Sequence, residues 1–164
     1  MTTQLLLFRH GKSDWKADFD HDHQRPVAKR GIKAAKAVGK FLAAANQIPD
    51  QVITSSAVRA KTTAELAIAA GSWPGSLQVT HDLYAASADQ VLQVIHRVSD
   101  KVERLMLVGH EPTWSSLSSQ LIGGGLLSVP TAAVVRIDFE SAWDQVAYGQ
   151  GTLIWLLPPK LLMG

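Results

Sequence analysis

The sequence predicts an α/β fold of three layers, with helices on both faces of a mixed, mainly parallel sheet that carries an antiparallel edge. Three observations carry this reading. Leu5-Leu6-Leu7-Phe8 is a short, unbroken apolar run that stops at Arg9-His10-Gly11; Leu105 to Val108 within Arg104 to Val108 is another that stops at Gly109-His110, and Asp50 to Thr54, around Val52-Ile53, is a segment of similar length that stops at Ser55-Ser56. Such runs suit strands buried on both faces, as parallel sheets bury them. The stretches between them place apolar residues three and four apart, the helical period. Finally, Ala132 to Phe139 and Gly151 to Leu157 flank a polar connection and read as a terminal hairpin.

Taken in order, the first strand is followed by a polar loop, Lys12 to Pro26, with Asp18, Asp20, His21, Asp22 and His23. Alternating Asp and His are possible metal ligands, but adjacent alternating residues need an extended backbone and no further ligand is in reach, so a solvated loop without metal is expected. Ala28 to Ala45 then has a helical pattern with Ile32, Ala35, Val38, Phe41 and Leu42 on the inward face. The second strand leads into a helix running to about Ala70, with Ser55 or Ser56 as its expected cap. Gly71 to Gly75 is a turn, Leu77 to Thr80 a short edge strand, and Ala88 to Val98 an amphipathic helix with Val91, Leu92, Ile95 and Val98 inward. After the third buried strand, Pro112 suits the first position of another helix. Gly123-Gly124-Gly125 punctuates the approach to the hairpin, and Pro158-Pro159 ends it.

Length and composition set bounds. At 164 residues and 46% hydrophobic content, one domain over residues 1–164 with a sizeable core is expected. A net charge of +2 on dispersed basic residues gives no nucleic-acid footprint and suits anionic substrates. The absence of cysteine excludes a disulfide scaffold and thiol catalysis. Neither a leader peptide nor a membrane span is legible, so a cytoplasmic enzyme is expected.

Open α/β folds bind ligands at the carboxyl ends of their strands, and there the sequence puts Arg9, His10, Arg59 and His110. Two guanidinium groups and two imidazoles at one sheet edge suit a phosphate, because guanidinium binds its oxygens bidentately and imidazole can attack or donate. Arg59 falls in the first turn of its helix, where the dipole favours anions, so the cation calls for a negative partner; a bound phosphate would supply one.

With these residues in view, the chain resembles the histidine phosphatase superfamily, the phosphoglycerate mutase-like proteins. The resemblance rests on Arg9-His10-Gly11, on Ser55-Ser56-Ala57-Val58-Arg59-Ala60 with Thr62-Thr63-Ala64, and on Leu107-Val108-Gly109-His110-Glu111-Pro112. Short length makes it most similar to the small SixA-type phosphohistidine phosphatases. The resemblance implies a phosphoglycerate mutase-like fold and hydrolysis through a phosphorylated His10, with Arg9, Arg59 and His110 holding the phosphoryl oxygens. Lys12 and Ser13 are further candidate contacts. Arg25-Pro26 is similar to a pair in SixA-type relatives, which would bring Arg25 to the site; a surface arginine is the alternative. No metal and no cofactor are expected. Many members carry a glutamate proton donor in a Leu-Asn-Glu-like string, where this chain has Leu83-Tyr84-Ala85-Ala86-Ser87 with Asp82 and Asp89 beside it. That departure favours phosphohistidine, on a protein, over a small phosphorylated metabolite; a binding module for phosphorylated ligands is the other alternative.

Overall fold

The computed structural model describes residues 1–163. Among them lie strands β1 (Thr3–Arg9), β2 (Gln51–Ser55), β3 (Ser76–Thr80), β4 (Arg104–Gly109), β5 (Val134–Phe139) and β6 (Thr152–Leu157). The helices are α1 (Lys29–Ala44), α2 (Val58–Gly71), α3 (Ala88–His96) and α4 (Thr113–Leu121). The strands form one sheet in the order β3-β2-β4-β1-β5-β6. β1, β4, β2 and β3 are parallel, while β5 and β6 add the expected antiparallel edge.

The continuous apolar runs explain the layering. Leu5 and Leu7 point to one face and Leu6 and Phe8 to the other, all four fully buried. α3 and α4 cover the first face through Val91, Ile95, Trp114, Leu117 and Leu121. α1 and α2 cover the second through Val38, Leu42, Ala60, Ala64 and Ala67. Burying each large side chain of β1 contributes about 1.5–3 kcal/mol, which is why its position does not drift.

Several sequence expectations are corrected. α1 turns Gly31, Ala34, Ala35, Val38, Gly39 and Leu42 inward, while Ile32 is only half-buried and Phe41 is 40% exposed. Backbone contact selects this face: a Cβ on Gly39 would sit 2.2 Å from the Ala67 carbonyl oxygen, so α1 meets α2 along its small residues. The cap of α2 is Ala57, without a side-chain hydrogen bond, because the Ser55 and Ser56 hydroxyls are engaged elsewhere. α3 stops at His96 rather than Val98, and Ser87 with Gln90 closes a capping box at its start. Leu92 and Val98 are partly buried, and Pro112 is the cap of α4 rather than its first residue. No helix among the described residues is long and apolar enough to cross a membrane.

The sheet order positions the site. The chain leaves β1, crosses through α1 to β2, turns out to β3, and returns through α3 to insert β4 between β1 and β2. Arg9 then stands in register with Gly109, and the His10 N–H donates to the Gly109 carbonyl at 3.1 Å. His10 and His110 thus leave adjacent parallel strands at the same level.

Candidate active site

Arg9-His10-Gly11 is fixed by what surrounds it. A Cβ on Gly11 would lie 2.8 Å from the Gly31 carbonyl oxygen, so the turn after β1 packs backbone to backbone on the first turn of α1. The Gly11 N–H donates to Thr63 Oγ1 at 2.9 Å, which ties the same turn to α2. His10 is 7% exposed, and its Nδ1 lies 2.7 Å from its neighbour's carbonyl, Gly11 O. A carbonyl only accepts, so Nδ1 carries the proton and the lone pair is on Nε2.

Burial, and then the positive charges of Arg59, Arg9 and Arg25, push the His10 pKa from 6.5 down to about 4, against the opposing pull of the Gly11 carbonyl. The imidazole is therefore neutral at ordinary pH. His110, with its ring centroid 5.4 Å from that of His10, is pushed to about 3 by burial and by Arg59 and His10. Its Nε2 lies 2.8 Å from Ser55 Oγ. Ser55 Oγ already accepts the Ala57 N–H at 3.3 Å, so its own proton is free to go to that Nε2. With Ser55 as the donor of that bond, the imidazole proton is on Nδ1, which is buried and has no partner.

Three arginines complete the cluster. Arg9 donates through one terminal nitrogen to the Val129 carbonyl at 3.0 Å. Arg59 donates to both the carbonyl and the carboxylate of Asp22, at 2.8 and 3.0 Å. Arg25 donates to the other Asp22 oxygen at 2.9 Å, and its guanidinium lies 3.6 Å from the centre of the Trp15 ring. In all three the Nε–H is buried and unpartnered. Buried donors left unpaired cost about 1–3 kcal/mol each, so four such N–H groups in one cluster are well suited to an anion.

The cavity these groups form has a volume of about 240 Å³. Arg9, His10, Arg59 and His110 line it together with Lys12, Ser13 and Arg25, so the seven residues expected to touch the phosphoryl group reach one place. Arg25 is 5% exposed and is not a surface arginine. Trp15, Glu111 and Thr131 also line the cavity. Asp22 is a residue that sequence reasoning missed. Its carboxylate joins Arg25, Arg59 and the Tyr84 hydroxyl, and although partial burial opposes it, the Tyr84 bond and the two arginines hold its pKa below the usual range.

The loop from Lys12 to Pro26 is accordingly not simply solvated. Asp22 and His23 fold back onto the site, His23 Nε2 lying 2.8 Å from Ser56 Oγ. The anion that Arg59 calls for is, in this structure, the Asp22 carboxylate. The one available signal was Arg59 itself, whose electrostatically misplaced charge required some negative group within reach.

Asp82 and Asp89 are not among the residues that line the cavity. Asp82 pairs with Arg97 at 3.3 Å, and Asp89 accepts from the Tyr148 hydroxyl. Glu111 does line it, but its carboxylate accepts from the N–H and hydroxyl of Ser115 at the start of α4. His81 is exposed and bonded to Ser56 Oγ, and His96 is bonded to the Val146 carbonyl, in keeping with surface and structural roles.

This geometry defines a class of α/β protein that can seat a tetrahedral oxyanion among cations while presenting a neutral imidazole nitrogen to it. Comparison with known proteins bears on the family. Residues 5–84 match the model of the histidine phosphatase superfamily, branch 1. An uncharacterised protein of Mycobacterium tuberculosis strain H37Rv is 33% identical over 162 residues, covering 93% of this chain and 99% of that one. The protein histidine phosphatase SixA, solved in complex with tungstate, superposes with a TM-score of 0.84 at 21% identity, covering 98% and 99% of the two chains. The mycobacterial glucosyl-3-phosphoglycerate phosphatase superposes with a TM-score of 0.73 at 14% identity, covering 94% and 98%. The chain belongs to the histidine phosphatase superfamily.

Proposed function

We propose that this protein hydrolyses phosphohistidine, carried on a protein, through a covalent phosphohistidine formed on His10. The observation that carries the proposal is the state of His10: neutral, with its proton committed to the Gly11 carbonyl and its Nε2 lone pair free. In the first step Nε2 forms a bond to phosphorus as the bond from phosphorus to the leaving nitrogen breaks. Arg9, Arg25, Arg59 and the Nδ1–H of His110 hold the phosphoryl oxygens and offset the charge that spreads over them, with Lys12 and Ser13 as further lining contacts. Water then attacks the phosphorus, phosphate leaves, and the electron pair returns to Nε2.

Two features support phosphohistidine over an alkyl ester. The segment from Leu83 to Ser87 has no carboxylate, Asp82 and Asp89 have partners away from the cavity, and Glu111 is tied to Ser115. An alkoxide needs a positioned acid on leaving, worth about a hundredfold or more, whereas a protonated imidazole leaves without one. The second support is the likeness to the protein histidine phosphatase SixA. Hydrolysis of a small phosphorylated metabolite is the other reading, favoured by the likeness to the glucosyl-3-phosphoglycerate phosphatase. Side-by-side turnover of a phosphohistidine protein, free phosphohistidine and a panel of sugar phosphates decides between them. Phosphohistidine is expected to be cleaved fastest per unit concentration; a sugar phosphate that matches it would overturn the assignment.

A further inference from the structure

A second concavity, of about 470 Å³, opens beside the catalytic cavity and shares Lys12 and Thr131 with it. Its floor and walls are apolar and stiff: Pro130, Pro158 and Pro159, with Ala34 and Met163. Proline has no N–H, so these walls offer few backbone donors of their own. Cations rim it: Lys12 at the shared end, with Arg30 from α1 and Lys160 from the segment after β6. Among the described residues that line it, none is acidic. Arg30 and Lys160 are exposed and make no ion pair among the described residues. Three like charges around one trench repel each other, and an anionic occupant would relieve that repulsion.

We propose that this trench seats the polypeptide flanking the phosphohistidine, and that it selects acidic segments. The proposal rests on the reading of the catalytic cavity given above and names the substrate class more closely. The phosphoryl group and the imidazole that carries it enter the smaller cavity, and the adjoining residues lie over the prolines with their carboxylates against Arg30 and Lys160. A small phosphorylated metabolite is the poorer match. A compact polyanion favours enclosed polar contacts, whereas this surface alternates apolar walls with separated cations, as an amphipathic peptide does.

The test uses two synthetic peptides that each carry one phosphohistidine and differ only in their flanks, glutamates in one and glutamines in the other, with para-nitrophenyl phosphate as a flank-free control. The wild-type protein is expected to favour the glutamate peptide in kcat/KM by about fivefold or more, the scale of two exposed ion pairs, and to lose that preference as salt rises. In the doubly substituted protein Arg30→Glu, Lys160→Glu the preference is expected to vanish or reverse, while turnover of para-nitrophenyl phosphate stays within about twofold. Equal turnover of both peptides by the wild type, or a preference that survives the double substitution, overturns the trench assignment and leaves the catalytic reading standing. If the double substitution instead slows hydrolysis of a doubly phosphorylated sugar and not of the peptides, the trench belongs to a metabolite. Failure of the wild type to cleave any phosphohistidine probe overturns the catalytic reading itself.

Discussion

His10 is the residue whose chemistry the rest of the site arranges, and its protonation state is the first thing to check. Its pKa of about 4 means that in the ligand-free protein the ring stays neutral through pH 5, where an exposed histidine would be charged. An NMR titration of the imidazole should show its midpoint near 4; a midpoint near 6.5 would mean that burial and the three arginines do not act as described. His10→Ala is expected to abolish turnover and the acid-labile, alkali-stable label that rapid quenching should otherwise trap on the ring. Asp22 makes a subtler case. It holds Arg25 and Arg59 in place, yet it also adds negative charge beside the cavity proposed to take the phosphoryl group. Asp22→Asn is therefore expected to lower kcat by about tenfold or more through misplaced guanidiniums, while inhibition by inorganic phosphate grows tighter. Weaker phosphate inhibition together with the lower kcat would show that Asp22 acts only by placing the guanidiniums, without repelling the anion.

At the scale of elements, close backbone approach sets the site. Gly11 touches Gly31, and Gly39 touches Ala67, so α1 is seated against both the turn that follows His10 and α2. Either glycine changed to alanine must push backbone apart, at about 1–3 kcal/mol. The two differ in consequence. Gly11→Ala is expected to lose activity beyond what its stability loss explains, because it displaces His10; Gly39→Ala should lower the urea midpoint with turnover largely kept. These contacts were poorly legible in the sequence. The strands were evident because Leu5 to Phe8 and Leu105 to Val108 are apolar throughout, but the helical period alone gave Ile32 and Phe41 to the core. It could not know that α1 meets its neighbour through glycine and alanine. Ser55 and Ser56 misled for a similar reason: their type suits a helix cap, and their hydroxyls bond to His110, His23 and His81 instead.

The whole molecule couples these local choices to stability. Both His10 and His110 have folded-state pKa values below 6.5, at about 4 and about 3, so the unfolded chain binds more protons as pH falls. Stability is expected to be level above about pH 6.5 and to decline from there toward pH 4 as these two groups resist protonation in the fold. Thermal melts across that range check the sign; a stability that rose on acidification would contradict it. An oxyanion bound only by the folded cluster would work in the opposite direction. Millimolar tungstate is expected to raise the melting temperature of the wild type and to do little for Arg59→Ala. What the sequence could disclose at this scale was the convergence of Arg9, His10, Arg59 and His110, because strand ends in a parallel sheet share one edge. Asp22 was out of reach, since nothing local marks which carboxylate of a polar loop folds back.

The hydrogen bond from His10 to the Gly11 carbonyl has a regiochemical consequence. An imidazole can be phosphorylated at either nitrogen, and the two positional isomers differ in spectroscopic signature and in lifetime. With Nδ1 engaged by the chain's own backbone, only the remote nitrogen has a free lone pair. Turnover by the proposed route therefore passes through a single isomer, the tele form, and an antibody or phosphorus spectrum specific for that isomer should detect the trapped protein where a reagent for the pros form stays silent.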